Sequence, residues 1–137
     1  MRRGLLLFFS LALFLPLAVQ AEGIVLIVNK NNPSTSLKKG TVADMYQGVE
    51  ERWSFGSKIT LVNRELDSSQ RAVFYQKVLG SSPDTRFYRR GTPIPVQTIV
   101  QRSDDAVKQF VAQVESAIGY ISESKADNSV KVVLTVE

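Results

Sequence analysis

The chain has 137 residues with 17 Lys and Arg against 13 Asp and Glu, a formal net charge of +4, and neither Cys nor His. The lack of Cys and His excludes disulfides, the usual zinc and copper sites, and catalysis by Ser-His-Asp or Cys-His groups. The modest positive balance tolerates an anionic ligand and does not indicate nucleic acid as a partner.

The start of the chain has the features of a secretory signal. Two arginines precede an apolar run from Leu5 to Val19, and small side chains stand at positions 19 and 21. This pattern predicts a signal peptide over residues 1–21, cleaved before Glu22, and a periplasmic location for residues 22–137 as one domain. The apolar run is shorter than the about 20 residues that span a membrane, and an uncleaved N-terminal anchor is the alternative.

Strands and helices alternate in the next part of the chain. Residues 24–29 form a continuous apolar run, which predicts a strand buried on both faces of a parallel sheet. A helix is predicted from about Lys38 to Gln47, because its apolar residues share one face. Residues 59–63 form a second predicted strand, and a helix from about Ser68 to Leu79 follows.

The second half of the chain is richer in turn signals. Pro83 suits the first turn of a short helix ending near Gly91, and two later prolines predict a loop or an edge strand. Ser103 is predicted to cap a helix whose first turn carries two aspartates. Strands are predicted at residues 118–121 and 130–136. The order β-α-β-α-α-α-β-β predicts an α/β fold with a mostly parallel sheet flanked by helices.

The stretch after the second predicted strand suits an oxyanion. Arg64 directly follows the strand, and Ser68, Ser69, Gln70 and Arg71 open the next helix. The N–H groups at a helix start lack partners and the helix dipole is positive there, so a bound sulfate, phosphate or carboxylate supplies the missing acceptors. Arg64 is expected to pair with the charge, the two serines to donate hydroxyl bonds, and Arg71 to make a secondary contact. In α/β sheets such ligands bind at the carboxyl ends of strands.

A capped helix explains the same residues without a ligand. Asp67 at the N-cap, with Gln70 three residues later, resembles a capping box. Arg64 would then pair with Glu65 or Asp67. Both interpretations remain open at the level of the sequence.

Three further segments have a structural and a functional interpretation. Trp53 and Phe55 either pack over the edge of the core or line a binding surface. The basic cluster of Arg86, Arg89 and Arg90 is either a solvated helix face or an extension of an anion surface. The polar segment 31–36 is either a plain turn or part of the site.

The order of these motifs resembles the phosphate-type periplasmic solute-binding proteins of ABC transporters, which have the type II periplasmic-binding fold. The resemblance spans most of residues 24–121 and rests on these segments: the strand Val25–Asn32, the helix Leu37–Gly48, Trp53, Asn63-Arg64 with Ser68 of the family's Arg-x-x-x-Ser-Gly-Thr anion loop, Phe74 with Val78-Leu79-Gly80, and Ala117-Ile118-Gly119-Tyr120.

The sequence departs from the family pattern at three places. Ser69 and Gln70 stand where the family has Gly and Thr, and Leu66 stands where the family often has an acid. The resemblance implies one lobe of the two-lobed fold, binding phosphate or a similar oxyanion weakly as a monomer. Tight binding would need a homodimer or a membrane transporter or sensor partner. The resemblance implies neither an enzyme nor a cofactor.

Two other functions are compatible with the sequence. A periplasmic protein-interaction module would keep the same fold with a vestigial anion site, and an exposed lobe face would be its interface. An enzyme working through carboxylates would need two acids close together in a pocket, and no acidic pair has a spacing that demands it.

Overall fold

A computed structural model describes residues 22–137, so the predicted signal peptide lies outside the described residues. The elements in chain order are β1 Ile24–Val28, α1 Lys39–Tyr46, β2 Thr60–Arg64, α2 Ser69–Phe74, a π-helical segment Tyr75–Leu79, β3 Ile99–Gln101, α3 Asp104–Gln113, β4 Ala117–Ser122, a 3-10 turn Glu123–Lys125, and β5 Lys131–Val136. Among these, no helix is long and apolar enough to cross a membrane.

The five strands form one mixed sheet in the order β3-β2-β4-β1-β5. Strand β2 is parallel to β3 and β4, whereas β1 is antiparallel to both of its neighbours, β4 and β5. Four strands therefore point the same way and β1 runs against them. The predicted α/β fold with a mostly parallel sheet is confirmed, but the prediction that the first strand pairs in parallel was wrong.

Strand β1 is apolar throughout because helices cover both faces of the sheet. Its side chains alternate between two core clusters, so that Leu26 belongs to the cluster under α1 and α2 and Ile27 to the cluster under α3. Antiparallel pairing at the centre of a covered sheet requires the same apolar run as parallel pairing. The sequence pattern therefore located the strand without fixing its direction.

Helix α3 packs closely on β4 at Gly119. An added Cβ at this position would lie 2.7 Å from Val107 Cγ1 and 3.3 Å from Val62 Cβ. A side chain here would push the helix off the sheet, which explains the glycine between the large residues Ile118 and Tyr120.

The predicted helix over residues 83–91 was wrong. The segment is extended, with a turn at Gly91 and a bridge between Tyr88 and Pro95. Its residues alternate between half-buried and exposed, as Thr85, Arg86 and Phe87 do, which is the period of a strand rather than a helix. The segment after it supplies β3, which pairs only with β2 and is an edge strand.

Candidate anion site

The candidate residues lie where two parallel strands end and two helices begin. Arg64 is the last residue of β2, and Ser122 is the last residue of β4. Ser68 caps α2, and Asp104 is the first residue of α3. Because β2 and β4 are neighbours and parallel, their carboxyl ends meet at this edge of the sheet. The structure thus brings the predicted loop to the place where α/β folds bind ligands.

Arg64 is nearly buried and is held by two carboxylates. Its Nη1 donates to Asp104 Oδ1 at 2.7 Å, its Nε donates to Glu65 Oε1 at 3.0 Å, and its Nη2 lies 2.9 Å from the same Glu65 oxygen. The residue is 7% exposed. A guanidinium carries five N–H donors, so these contacts leave two donors for a further acceptor. The charge of Arg64 is matched, and its orientation is fixed.

A buried polar network forms hydrogen bonds with the backbone of Arg64. The Arg64 N–H donates to Asn63 Oδ1 at 2.9 Å and to the Tyr120 hydroxyl at 3.3 Å. The Tyr120 hydroxyl donates to Asn63 Oδ1, and Asn63 Nδ2 donates to the Tyr75 hydroxyl at 2.9 Å. Burial raises the pKa of Tyr120 far above its ordinary value, so the hydroxyl keeps its proton at physiological pH. The loop that carries Arg64 therefore has a rigid base.

The start of α2 forms a second polar group beside Arg64. Ser68 Oγ accepts from the Arg71 N–H at 3.2 Å, so Ser68 is the N-cap and the predicted Asp67 cap was wrong. Gln70 Oε1 accepts from the hydroxyls of Ser68 at 3.0 Å and Ser69 at 3.3 Å. Gln70 Nε2 donates to Ser122 Oγ at 3.0 Å and so bridges the helix to the end of β4. Ser68, Ser69 and Gln70 thus form one connected network at the candidate site.

Arg71 is directed mainly to backbone carbonyls. Its Nε and Nη2 donate to the Pro83 carbonyl at 3.0 and 2.7 Å, and its Nη1 donates to the Arg64 carbonyl at 2.8 Å. Its guanidinium carbon also lies 4.7 Å from the centre of the Tyr75 ring. Arg71 therefore ties the turn at Pro83 to the end of β2.

Two residues of the site were not predicted from the sequence as site residues. Asp104 Oδ2 accepts from the Ser122 N–H at 3.4 Å, so Asp104 joins Arg64 to the end of β4. Asp104 was expected only to favour the start of a helix. The general rule that parallel strands end at the same edge would have placed Ser122 near Arg64, had the strand order been known.

The polar turn over residues 31–36 does not line the site. Strand β1 runs against β4, with Val28 opposite Ile118 and Ile24 opposite Ser122. The turn after β1 therefore lies at the opposite edge of the sheet from Arg64, and the interpretation that it contributes to the site was wrong. Within residues 22–137, no group of three or more Asp or Glu side chains is arranged to hold a metal ion.

The loop aromatics and the basic cluster each have a clear placement. Trp53 is buried, its ring stacks on Phe55, and its Nε1 donates to the Ser116 carbonyl at 2.9 Å. Arg89 forms an ion pair with Glu51 at the surface. Trp53 therefore belongs to the core edge, and Arg89 joins two loops.

Comparisons with known proteins agree with this fold. A family model described as a PBP superfamily domain matches residues 14–135. The phosphate-binding protein PstS of Bacillus subtilis (strain 168) is 25% identical over 123 residues, covering 87% of this chain and 37% of that protein.

Solved structures give the same result. An ABC-type phosphate transport receptor from Vibrio cholerae superposes with a TM-score of 0.68 at 27% identity, over 82% of this chain and 45% of the receptor. A Clostridium perfringens protein, assigned as a phosphate ABC transporter substrate-binding protein and solved with bound phosphate, has a TM-score of 0.68 at 31% identity, over 82% of this chain and 44% of its own. The chain thus spans less than half the length of these relatives, and it belongs to the PBP superfamily.

Proposed function

We propose that this protein is an exported domain that binds phosphate or a similar oxyanion, in support of phosphate ABC transport or sensing in the periplasm, and that it is not an enzyme. The observation that carries the proposal is Arg64. It stands at the carboxyl end of β2, in a fold shared with a phosphate transport receptor and with a protein solved with bound phosphate.

The anion would bind at the part of the Arg64 guanidinium that does not contact Glu65 or Asp104. Arg64 has two N–H donors outside its contacts with Glu65 and Asp104, and charged hydrogen bonds of this kind are the strong ones. The Ser68 and Ser69 hydroxyls are close by and donate to Gln70 Oε1, so each can turn from Gln70 to an incoming oxygen. Gln70 would act by holding the serines, and Arg71 by fixing the Arg64 carbonyl.

The same geometry limits the affinity of the isolated lobe. Millimolar binding needs about −4 kcal/mol and micromolar binding about −8 kcal/mol. Two carboxylates beside Arg64 repel an anion, and a single open wall leaves the anion in water, where ion pairs are worth up to about 1 kcal/mol. We therefore expect millimolar binding by the monomer and tight binding only with a second wall, supplied by another copy or by a transporter or sensor protein.

Isothermal titration of residues 22–137 with phosphate, with sulfate for comparison, tests this function. We expect saturable binding that Arg64→Ala weakens by about 1.5–3 kcal/mol, the range for hydrogen bonds to charged groups. Arg90→Gln is the matched control, because Arg90 is exposed and is not part of the candidate site. An Arg64→Ala protein that folds and binds phosphate as well as the parent would exclude the proposed role of Arg64.

A protein-interaction module is the second candidate, and one observation favours it. Leu66 is 58% exposed in the loop between Arg64 and Ser68, directly beside an arginine that already has its carboxylate partners. An exposed leucine at a loop tip suits a protein contact better than an anion site. Light scattering of the protein with and without phosphate tests it, since Leu66→Ser would abolish self-association if this loop forms the interface. A monomer at every concentration tested would argue against self-association through this loop.

A further inference from the structure

A cavity of about 210 Å³ lies behind the candidate site, on the side of β2 that faces the extended segment 85–98. Its polar lining consists of Asn63, Arg71, Tyr75, Thr85, Arg86 and Thr98, and aromatic and apolar residues complete it. Among residues 22–137, neither an Asp nor a Glu lines it. The cavity, called here the Arg71–Arg86 cavity, thus has two arginines and no carboxylate among its described lining residues.

Three donors at the cavity differ in burial: the Arg86 guanidinium is exposed, the Thr98 hydroxyl is half-buried, and the Tyr75 hydroxyl is buried. Within residues 22–137, the Arg86 side chain makes no hydrogen bond or ion pair, and the Thr98 hydroxyl makes no hydrogen bond. The buried Tyr75 hydroxyl accepts from Asn63 Nδ2 at 2.9 Å, and no acceptor in the described part of the chain takes its own hydrogen. A buried hydroxyl normally has an acceptor for its hydrogen, so an oxyanion at Tyr75 would complete the hydrogen bonding of this group.

Among residues 22–137, no carboxylate forms a salt bridge with Arg71. Its three contacts go to the carbonyls of Pro83 and Arg64, which accept hydrogen bonds but carry no net charge. A hydrogen bond from Ser82 chiefly lowers the pKa of the nearby Asp84 carboxyl, and the Arg71 charge adds a smaller contribution. Asp84 is exposed and does not line the cavity. Arg64, at the end of β2, differs from Arg71 because Glu65 and Asp104 both form salt bridges with it.

We infer that the Arg71–Arg86 cavity is a second anion site, for a small phosphate-type oxyanion, either free or as the terminal group of a small ester. The shared chemistry is a tetrahedral group whose oxygens accept from the guanidinium of Arg86 and from the hydroxyls of Tyr75 and Thr98. The cavity is smaller than the about 300 Å³ at which pockets for drug-sized ligands begin, so it suits a ligand of few atoms. This inference stands independently of the function proposed for Arg64.

The test is a titration followed residue by residue. Inorganic phosphate is added to the ¹⁵N-labelled protein, expressed from the full chain and purified after export, and amide shifts are followed by NMR. We expect saturable shifts at Tyr75, Thr85 and Thr98 that persist in Arg64→Gln. Arg86→Gln should weaken this response by up to about fivefold, as expected for the loss of a solvent-exposed charged contact. Arg90→Gln, an exposed neighbour outside the cavity, should leave it unchanged.

The outcomes separate the two sites. One outcome is a response confined to Ser68, Ser69 and Gln70 that is lost in Arg64→Gln but unchanged in Arg86→Gln. It would overturn the second site and leave the function proposed for Arg64 intact. A response lost only in Arg86→Gln would support the second site and contradict that function. Absence of shifts at Thr85 and Thr98 up to high millimolar phosphate would also overturn the second site. Repeating the titration with glycerol phosphate distinguishes a free anion from an ester.

Because Arg86 is exposed, Arg86→Gln is not expected to disturb the fold. Thr98→Val provides an independent variant, since it removes one hydroxyl with little change of shape. It should weaken the phosphate response of Tyr75 and Thr85 severalfold without changing the shifts of Ser69. An unchanged response in both folded variants would contradict the assignment of donors.

Discussion

Arg64 Nη1 and Asp104 Oδ1 lie 2.7 Å apart although the two residues are 40 positions apart in the chain. The pair joins the end of β2 to the start of α3 across the edge of the sheet. It places a negative charge directly beside the group proposed to bind an anion, so the same contact that orders Arg64 opposes its ligand.

Asp104→Asn separates these two effects. The variant keeps a similar shape but removes the negative charge, so phosphate binding at Arg64 should strengthen by about 1 kcal/mol, roughly fivefold. Stability should fall by about 1–3 kcal/mol, because a buried charged hydrogen bond is weakened. Calorimetric titration and urea unfolding measure the two changes. Asp105→Asn is the control, since its side chain is 78% exposed; equal effects of both variants would contradict the argument.

Tyr120→Phe should destabilise the base of the site. The hydroxyl donates to Asn63 Oδ1 and accepts from the Arg64 N–H, both in the buried interior. Its loss leaves these groups less well satisfied, at a cost of about 1–3 kcal/mol. Urea unfolding measures the cost, and Tyr88→Phe, at an exposed tyrosine, should change it by less than about 0.5 kcal/mol. A Tyr120→Phe protein as stable as the parent would show that the network contributes nothing.

Stability should fall at alkaline pH because of two buried tyrosines. Burial raises the pKa values of Tyr46 and Tyr120 above their ordinary value of 10.0 in the folded protein. Below that pH both states keep the protons and stability does not change on their account. Above it the unfolded state ionises first, so the free energy of unfolding falls with rising pH. Urea unfolding between pH 8 and 11 should show the fall, and a fall equally steep in Tyr120→Phe would contradict a contribution from Tyr120.

Two glycines should respond to alanine in opposite directions. Gly119→Ala places a Cβ 2.7 Å from Val107 Cγ1 and should cost about 1–3 kcal/mol by forcing α3 off the sheet. Gly40→Ala in α1 meets no atom within 4 Å and should stabilise by up to about 1 kcal/mol, because alanine favours the helix. Thermal unfolding of the two variants measures both changes. If Gly119→Ala leaves the free energy of unfolding unchanged, α3 can shift away from the sheet without an energetic cost.

The sequence predicted the elements with strong local signals. The apolar run of β1, the Ser103 cap and the end of the second predicted helix at Leu79 depend on neighbouring residues, and each is predicted within a few positions. The direction of β1 was not predictable, because a covered central strand has the same pattern in either direction. The prediction of a helix after Pro83 was wrong because a proline that suits a helix start also suits the turn found there.

Some contacts of the candidate site were predictable from the sequence and others were not. Arg64 and the start of α2 are close in the chain, so a strand-loop-helix pattern located them. The contact of Arg64 with Asp104 and the bridge from Gln70 to Ser122 depend on which strands are neighbours. That order is set by the packing of the whole sheet, which no local pattern records.

The reversed central strand also affects the order in which the chain folds. Within residues 22–137, β1 pairs with β4 and β5, so this apolar strand has no partner strand until residues 117–122 are present. Closing such a long loop costs chain entropy before any contact is gained, which slows folding. A chain that waits unpaired with an aggregation-prone segment near its start needs protection during that interval. Deletion of residues 117–136, which removes both partners, would therefore be expected to produce insoluble protein rather than a smaller folded domain.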